Sequence, residues 1–279
     1  MNNNKVWYVT GASQGLGLTL VKQLLSAGYR VAATSRSAAG LQNAVGTTYE
    51  SQFLPLEVDL TNAGAIRRSI EQTVAAFGTI DVIVNNAGYG MDGTVEEAEE
   101  EKIRAIFEIN VFTTINVTKY ALPYLRKQRS GHIINISSVA GFVGAPGWAI
   151  YSATKSAVIA FSEVLALDVQ GLGIKVTVIG PSGFRTGFLT KNSLVSVESK
   201  ILDYESVIST QARYAAMDGN QDGDPEKAAA LFIRLAEHPD PPLHLWLGAN
   251  AYERADKKIE SMGVELRKWK ELSLSADYN

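Results

Sequence analysis

The chain has 279 residues, 46% of them hydrophobic and 20% charged, with a formal net charge of -3. This composition is ordinary for a globular protein, and the balance of charge excludes a basic nucleic-acid surface. Cysteine is absent, which excludes disulfides, thiolate metal sites and a cysteine nucleophile. The length sits near the upper limit for one hydrophobic core, so a single domain over residues 1–279 is expected. No uninterrupted apolar run reaches the roughly 18 residues of a membrane span. Met1-Asn2-Asn3-Asn4 leads straight into an apolar segment without a secretory pattern. The expectations are therefore no membrane partner and a cytoplasmic location.

In chain order, Val6-Trp7-Tyr8-Val9 reads as a buried strand followed by glycines. Helical spacing over residues 16–27 stops at Gly28. Strands are predicted over 29–35 and 53–58, a helix over 66–77 and a strand over 81–84. A long helix over 99–128, a strand over 131–136, a helix over 151–169 and a strand over 174–179 come next. A last strand is placed at 243–247 and a last helix over 249–272. Alternating strands and helices require parallel strands joined by right-handed crossovers. The predicted fold class is α/β: one Rossmann-type, doubly wound parallel sheet of about seven strands with helices on both faces. Residues 187–224 break the rhythm and read as an excursion over the active site that walls the substrate pocket.

Thr10-Gly11-Ala12-Ser13-Gln14-Gly15-Leu16-Gly17 lies between the first strand and first helix. Glycines there let the backbone approach a diphosphate, and the helix N-terminus offers free N–H groups. The second strand ends Thr34-Ser35-Arg36 without a carboxylate. An acidic residue there reads a ribose 2′-hydroxyl, whereas a 2′-phosphate needs a cation. Arg36 is read as that cation, giving NADP(H) over NAD(H), against the bland reading of a solvated loop charge. Asp59, before Leu60-Thr61, reads as an N-cap of the next helix, as an adenine contact, or as both.

Tyr151 and Lys155 stand four residues apart on one helix face. An ammonium beside a phenol favours phenolate and suits it to proton transfer near neutral pH. Ser137 and Ser138 end the strand over 131–136, where ligands of open α/β sheets bind; they read either as donors to a substrate oxygen or as turn caps. His132, His238 and His244 show no metal-ligand spacing, so no metal is expected.

Taken together, Thr10-Gly11-x-x-x-Gly15-x-Gly17, Asn85-Asn86-Ala87-Gly88, Ser138 and Tyr151-x-x-x-Lys155 resemble the short-chain dehydrogenase/reductase family, over about residues 5–186. The resemblance implies hydride transfer between NADP(H) and a small-molecule carbonyl or alcohol substrate. Tyr151 would be the general acid/base, Lys155 would lower its pKa and hold the nicotinamide ribose, and Ser138 rather than Ser137 would orient the substrate oxygen. Asn110 would hold a water of the proton relay. The implied cofactor contacts are Gly11, Ser13, Gln14, Gly15, Leu16, Gly17, Ser35, Arg36, Asp59, Leu60, Asn86, Ala87 and Gly88, with Tyr151, Lys155, Pro181, Gly183 and Thr186. Three departures stand out: Ser182 where the family often has glycine, Gln14 where NADP-preferring members often have a basic residue, and a charged helix in place of a glycine-rich tail. The resemblance also implies a homo-oligomer, a dimer before a tetramer. The alternative readings are a 3-oxoacyl-thioester reductase and a non-catalytic NADP-binding sensor, which would typically have lost the Tyr or the Lys.

Overall fold

Residues 5–49 and 51–278 are described by the computed structural model, so the Met1–Asn4 segment lies outside the described residues. The apolar run Val6–Val9 forms β1, buried on both faces. Its side chains alternate between two layers, as the period of a strand requires. Trp7 and Val9 join the cluster containing Leu20, Leu24 and Phe232, while Tyr8 joins the one containing Ile66, Val117 and Leu165. The Tyr8 hydroxyl is satisfied inside its layer by Ser69 Oγ at 2.6 Å.

The chain then runs through α1 (Gly15–Ser26), β2 (Arg30–Ser35), α2 (Ala38–Val45), β3 (Phe53–Glu57), α3 (Ala63–Phe77) and β4 (Val82–Asn85). Next come β5 (Gly90–Asp92), α4 (Glu100–Phe107), α5 (Thr113–Gln128), β6 (Gly131–Ile136), α6 (Ala149–Val169) and β7 (Ile174–Pro181). The C-terminal third holds β8 (Leu194–Ser196), α7 (Glu205–Met217), α8 (Pro225–Glu237), β9 (His244–Leu247), α9 (Ala249–Lys268) and α10 (Lys270–Leu274). Seven strands make one parallel sheet in the order β3-β2-β1-β4-β6-β7-β9, the Rossmann-type architecture expected. Strand order reverses between β1 and β4, which opens a crevice beyond their carboxyl ends. A buried polar ladder holds that end of the sheet together: Asn85 Nδ2 donates to Asn135 Oδ1 at 2.8 Å, and Asn135 Nδ2 to Ser162 Oγ at 2.9 Å.

Several elements differ from the sequence reading. The helix predicted over 99–128 is interrupted by a wider π turn at Glu108–Phe112. Helix α8 was not foreseen, although Asp224 caps it by accepting from the Glu226 and Lys227 amides and Pro225 opens it. It buries Ala228 and Phe232 against α1. Residues 187–224 are not structureless, because β8 pairs with β5 and α7 follows. Residues 149–172 are long and apolar enough, by length and composition, to cross a membrane, with mean hydropathy 1.3. A search for unbroken apolar runs misses this because Ser, Thr and Lys punctuate the helix. In this fold α6 lays Val158, Ile159 and Leu165 against the sheet.

His132 is a structural histidine, with Nε2 2.9 Å from Thr177 Oγ1. Burial, with Lys175 and Lys5 nearby, pulls its pKa down from 6.5 to about 4. Between these values the unfolded chain takes up a proton that the folded chain refuses. Stability is therefore complete above pH 6.5 and declines as the pH falls toward 4. From pH 7.5 to 5.0 this group alone removes about 2 kcal/mol. Urea unfolding of the wild type and His132→Gln at both pH values isolates it: the wild type is expected to lose that much more than the variant, and equal losses would reject the assignment.

Candidate active site

The crevice at the strand reversal is a cleft of about 580 Å³. Of the candidate residues, all except Gly17 and Asn110 line it. Its first part is built by the loop from β1 to α1. Gly11 has φ +64, and a Cβ there would stand 2.7 Å from Ala87 Cα. A Cβ on Gly17 would meet Asn86 Nδ2 at 2.5 Å. These glycines let the loop dock on Asn86, whose amide donates to the Thr10 and Gly11 carbonyls, both at 3.0 Å. The N-cap of α1, Gln14, makes no cap bond, and the first turn carries no acidic residue. The positive end of the helix thus faces the cleft, as a phosphate requires. The Gln14 amide instead donates to Ser193 Oγ at 2.7 Å, tying this loop to the excursion.

At the far rim, Arg36 is exposed and lines the cleft with no hydrogen bond or ion pair among the described residues. The buried Thr34 Oγ1 beside it also lacks a partner. Asp59 is not the cap of α3. Asn62 fills that position, accepting from the Ala65 amide at 3.0 Å. Asp59 caps the preceding turn by accepting from the Thr61 amide at 2.9 Å and hydroxyl at 2.8 Å, and these bonds hold its carboxyl below the usual range.

At the other end, α6 presents Tyr151 and Lys155 to the cleft, and the turn after β6 presents Ser138. Ser137 is structural: its hydroxyl is buried and donates to the Lys155 carbonyl at 2.8 Å. Lys155 Nζ lies 5.8 Å from the centre of the Tyr151 ring and donates to the Ile136 carbonyl at 3.0 Å. Burial lowers its pKa to about 8. The sequence argument has Lys155 pulling the phenol down. In the structure, burial dominates and pushes Tyr151 up; the hydrogen bond from Ser138 offsets this in part, and Tyr214 adds to the rise. The phenol consequently keeps its proton near neutral pH.

Asn110 sits behind the cleft, in the π turn. Its amide donates to the Tyr89 carbonyl at 2.9 Å and Thr154 Oγ1 at 3.1 Å, while its oxygen accepts from the Tyr89 amide at 3.0 Å. A Cβ on Gly88 would meet Asn110 Oδ1 at 3.0 Å and Lys155 Nζ at 3.2 Å, so glycine there lets the three groups converge.

The remaining wall is aromatic and was not assigned from sequence. Trp148 stacks edge-on to Tyr151 with centroids 5.4 Å apart and lies 4.9 Å from Tyr214, and Phe188 approaches Tyr151 at 5.9 Å. Phe188 and Tyr214 come from the excursion, which was read as pocket wall, but nothing in the sequence said which of its apolar residues would face inward.

Residues 5–194 match the family model described as short chain dehydrogenase. The chain is 36% identical to oxidoreductase BOA17 of Botryotinia fuckeliana over 273 residues, 98% of this chain and 99% of that protein. The chain belongs to the short-chain dehydrogenase family. A 3-ketodihydrosphingosine reductase of Bacteroides thetaiotaomicron is 35% identical over 86% of each protein. The crystal structure of a short-chain dehydrogenase from Streptomyces avermitilis superimposes with a TM-score of 0.90 at 35% identity, covering 98% of this chain and 100% of that one. This short-chain dehydrogenase is therefore an oxidoreductase whose cleft has the two ends that a nicotinamide dinucleotide needs. Gly11 and Gly17 clear space for the loop, the unpaired start of α1 suits the diphosphate, and Thr34 leaves a buried hydroxyl open beside the adenosine end. These features fit the cofactor.

Proposed function

We propose that the protein is an NADP(H)-dependent carbonyl reductase or alcohol dehydrogenase with Tyr151 as its proton donor and acceptor. The observation that carries this reading is the placement of Tyr151, Lys155 and Ser138 in one cleft continuous with the glycine loop around Gly11 and Gly15. A bound nicotinamide supplies the hydride. The chain's own residues orient the substrate and move the proton. In the reducing direction Ser138 donates to the carbonyl oxygen, and Tyr151, which burial keeps protonated, delivers its proton to the developing alkoxide. The Lys155 ammonium then stabilises the phenolate left behind.

Arg36 supports the NADP(H) assignment because it is an unpaired guanidinium at the adenosine end, where a 2′-phosphate would sit. With NADPH, Arg36→Ala is expected to lower kcat/KM about ten- to a hundredfold, the worth of a charged hydrogen bond; with NADH it should change little. Equal NADPH efficiency in both proteins would exclude the role.

The wall of Trp148, Phe188, Leu189, Val195, Tyr214 and Met217 favours an apolar ketone or the corresponding alcohol. Similarity to a reductase named for a 3-keto lipid favours the same class. A homo-oligomer is supported by Phe112, Val164 and Leu167, which stay exposed along the π turn and α6. An NADPH-oxidation screen over ketones, aldehydes, quinones and 3-oxoacyl thioesters tests the activity. Cofactor binding without turnover across that panel would favour a sensor instead.

A further inference from the structure

Helix α9 starts on the domain and ends off it. Its first turns bury Ala251 and Ala255, and Arg254 Nη2 donates to the Val143 carbonyl at 2.7 Å. From Asp256 to Tyr278 none of the described residues is buried. The face that α9 lays on the domain nevertheless continues. Ile259, Met262, Leu266 and Trp269 follow Ala255 at steps of four, three, four and three residues, which keeps them on one side of the helix. That alternation is the seam of a two-helix pair. The backbone carries it past the end of α9: the Trp269 amide donates to the Glu265 carbonyl at 3.1 Å, and the Ser273 amide to the Trp269 carbonyl at 2.9 Å. The four side chains are between 48% and 72% exposed. A helix of this length owes most of its stability to packing of such a face.

Two features choose what covers it. The first is charge. Residues 256–274 carry five basic and four acidic side chains, interspersed. A helix that lies on anionic lipid carries mainly Lys and Arg on its polar side, and a surface meant for a charged partner carries an excess of one sign. A near balance suits a helix that meets its own copy. The second is the domain edge. Up to Ala255 the seam side of α9 is occupied by the domain itself. A second helix laid parallel would bring its own domain to that same place, whereas one laid antiparallel brings only its tip. With each tip at the other copy's domain edge, Ile259 meets Trp269 of the second copy and Met262 meets its Leu266, each contact made twice by two-fold symmetry. Asp256 then stands beside Lys270 of the second copy, also twice. These two attractive pairs outnumber one like-charge approach, that of the two Glu265 carboxylates across the axis.

We propose that residues 256–274 are a dimerisation arm that pairs antiparallel with the same arm of a second copy of this chain. The arm is built from other elements than the exposed face of Phe112, Val164 and Leu167, so each can pair independently. The test is the mass of the full chain by sedimentation equilibrium. Leu266→Asp puts a charge into the seam and is expected to weaken pairing about a hundredfold or more, giving half the wild-type mass at the same concentration. Val264→Asp, 60% exposed on the opposite side of the same helix, should leave the mass unchanged. Asp256→Lys should weaken pairing about severalfold, addition of Lys270→Asp should restore it, and Glu265→Gln should tighten it. A monomeric wild type, a Leu266→Asp protein of wild-type mass, or equal losses in Leu266→Asp and Val264→Asp would overturn the proposal. Failure of Lys270→Asp to restore pairing would overturn the antiparallel register. A monomeric wild type that co-sediments with vesicles of phosphatidylcholine and phosphatidylserine would give the face to a membrane instead.

Discussion

Tyr151→Phe is expected to lower kcat by about 10²–10⁴-fold, the usual contribution of a positioned acid or base, while NADPH binds with unchanged affinity. The substitution removes one oxygen and keeps the ring, so its packing against Trp148 and Phe188 is retained. Among the described residues, the polar contact it loses is the hydrogen bond with Ser138. The fold should therefore survive, and the defect should lie in proton transfer. Stopped-flow turnover with the best substrate from the screen, beside a fluorescence titration of NADPH, makes the measurement. Turnover within a few-fold of wild type would remove the phenol from the mechanism, whatever its position in the cleft.

Lys155→Met is expected to abolish most turnover and, in the same protein, to raise stability. Lys155 is buried, and burial lowers its pKa from 10.5 to about 8. Between those values the unfolded chain holds a proton that the folded chain has lost. The lysine's contribution to stability is thus most favourable above pH 10.5 and is lost as the pH falls through 8. At pH 7 the charged form costs the free protein about 3 kcal/mol. Methionine has similar length and no charge to bury. Removing the ammonium also strips the Ile136 carbonyl of its donor, which returns about 1–2 kcal/mol of that gain. The net expectation at pH 7 is a Tm raised by several degrees, shrinking as the pH approaches 10.5. Activity should fall about 10²-fold or more, because the phenolate loses its neighbouring charge. A destabilised Lys155→Met would show that the lysine is held for structure and not for chemistry. Active-site groups kept at a cost to stability are a common trade.

The reading of the chain succeeded where local pattern and global fold agree. The runs 6–9, 131–136 and 174–179 are apolar and β-rich because they lie in the middle of a parallel sheet covered on both faces, and burial of that kind leaves a continuous apolar signature. Tyr151 and Lys155 were legible because four residues is one helical turn, so their shared face follows from helix geometry alone. Helix α8 was legible in principle: Asp224-Pro225 is a start signal, but it stands at the end of a stretch read as irregular. The π turn at Glu108–Phe112 was not legible. One extra residue in a helical turn leaves no mark on a pattern of apolar spacing, yet here it accompanies the inward placement of Asn110.

The amino-acid sequence by itself determined the strand and helix alternation, the glycine loop and the shared helix face of Tyr151 and Lys155, since each depends on residues close together in the chain. Tertiary structure decided which groups share the cleft and what their surroundings do to them. It seated Phe188 and Tyr214 against the tyrosine and Trp148. It also made burial the largest influence on the phenol's pKa. Those outcomes depend on distances across the sheet and on excluded water, quantities that arise only when segments far apart in the chain are packed together.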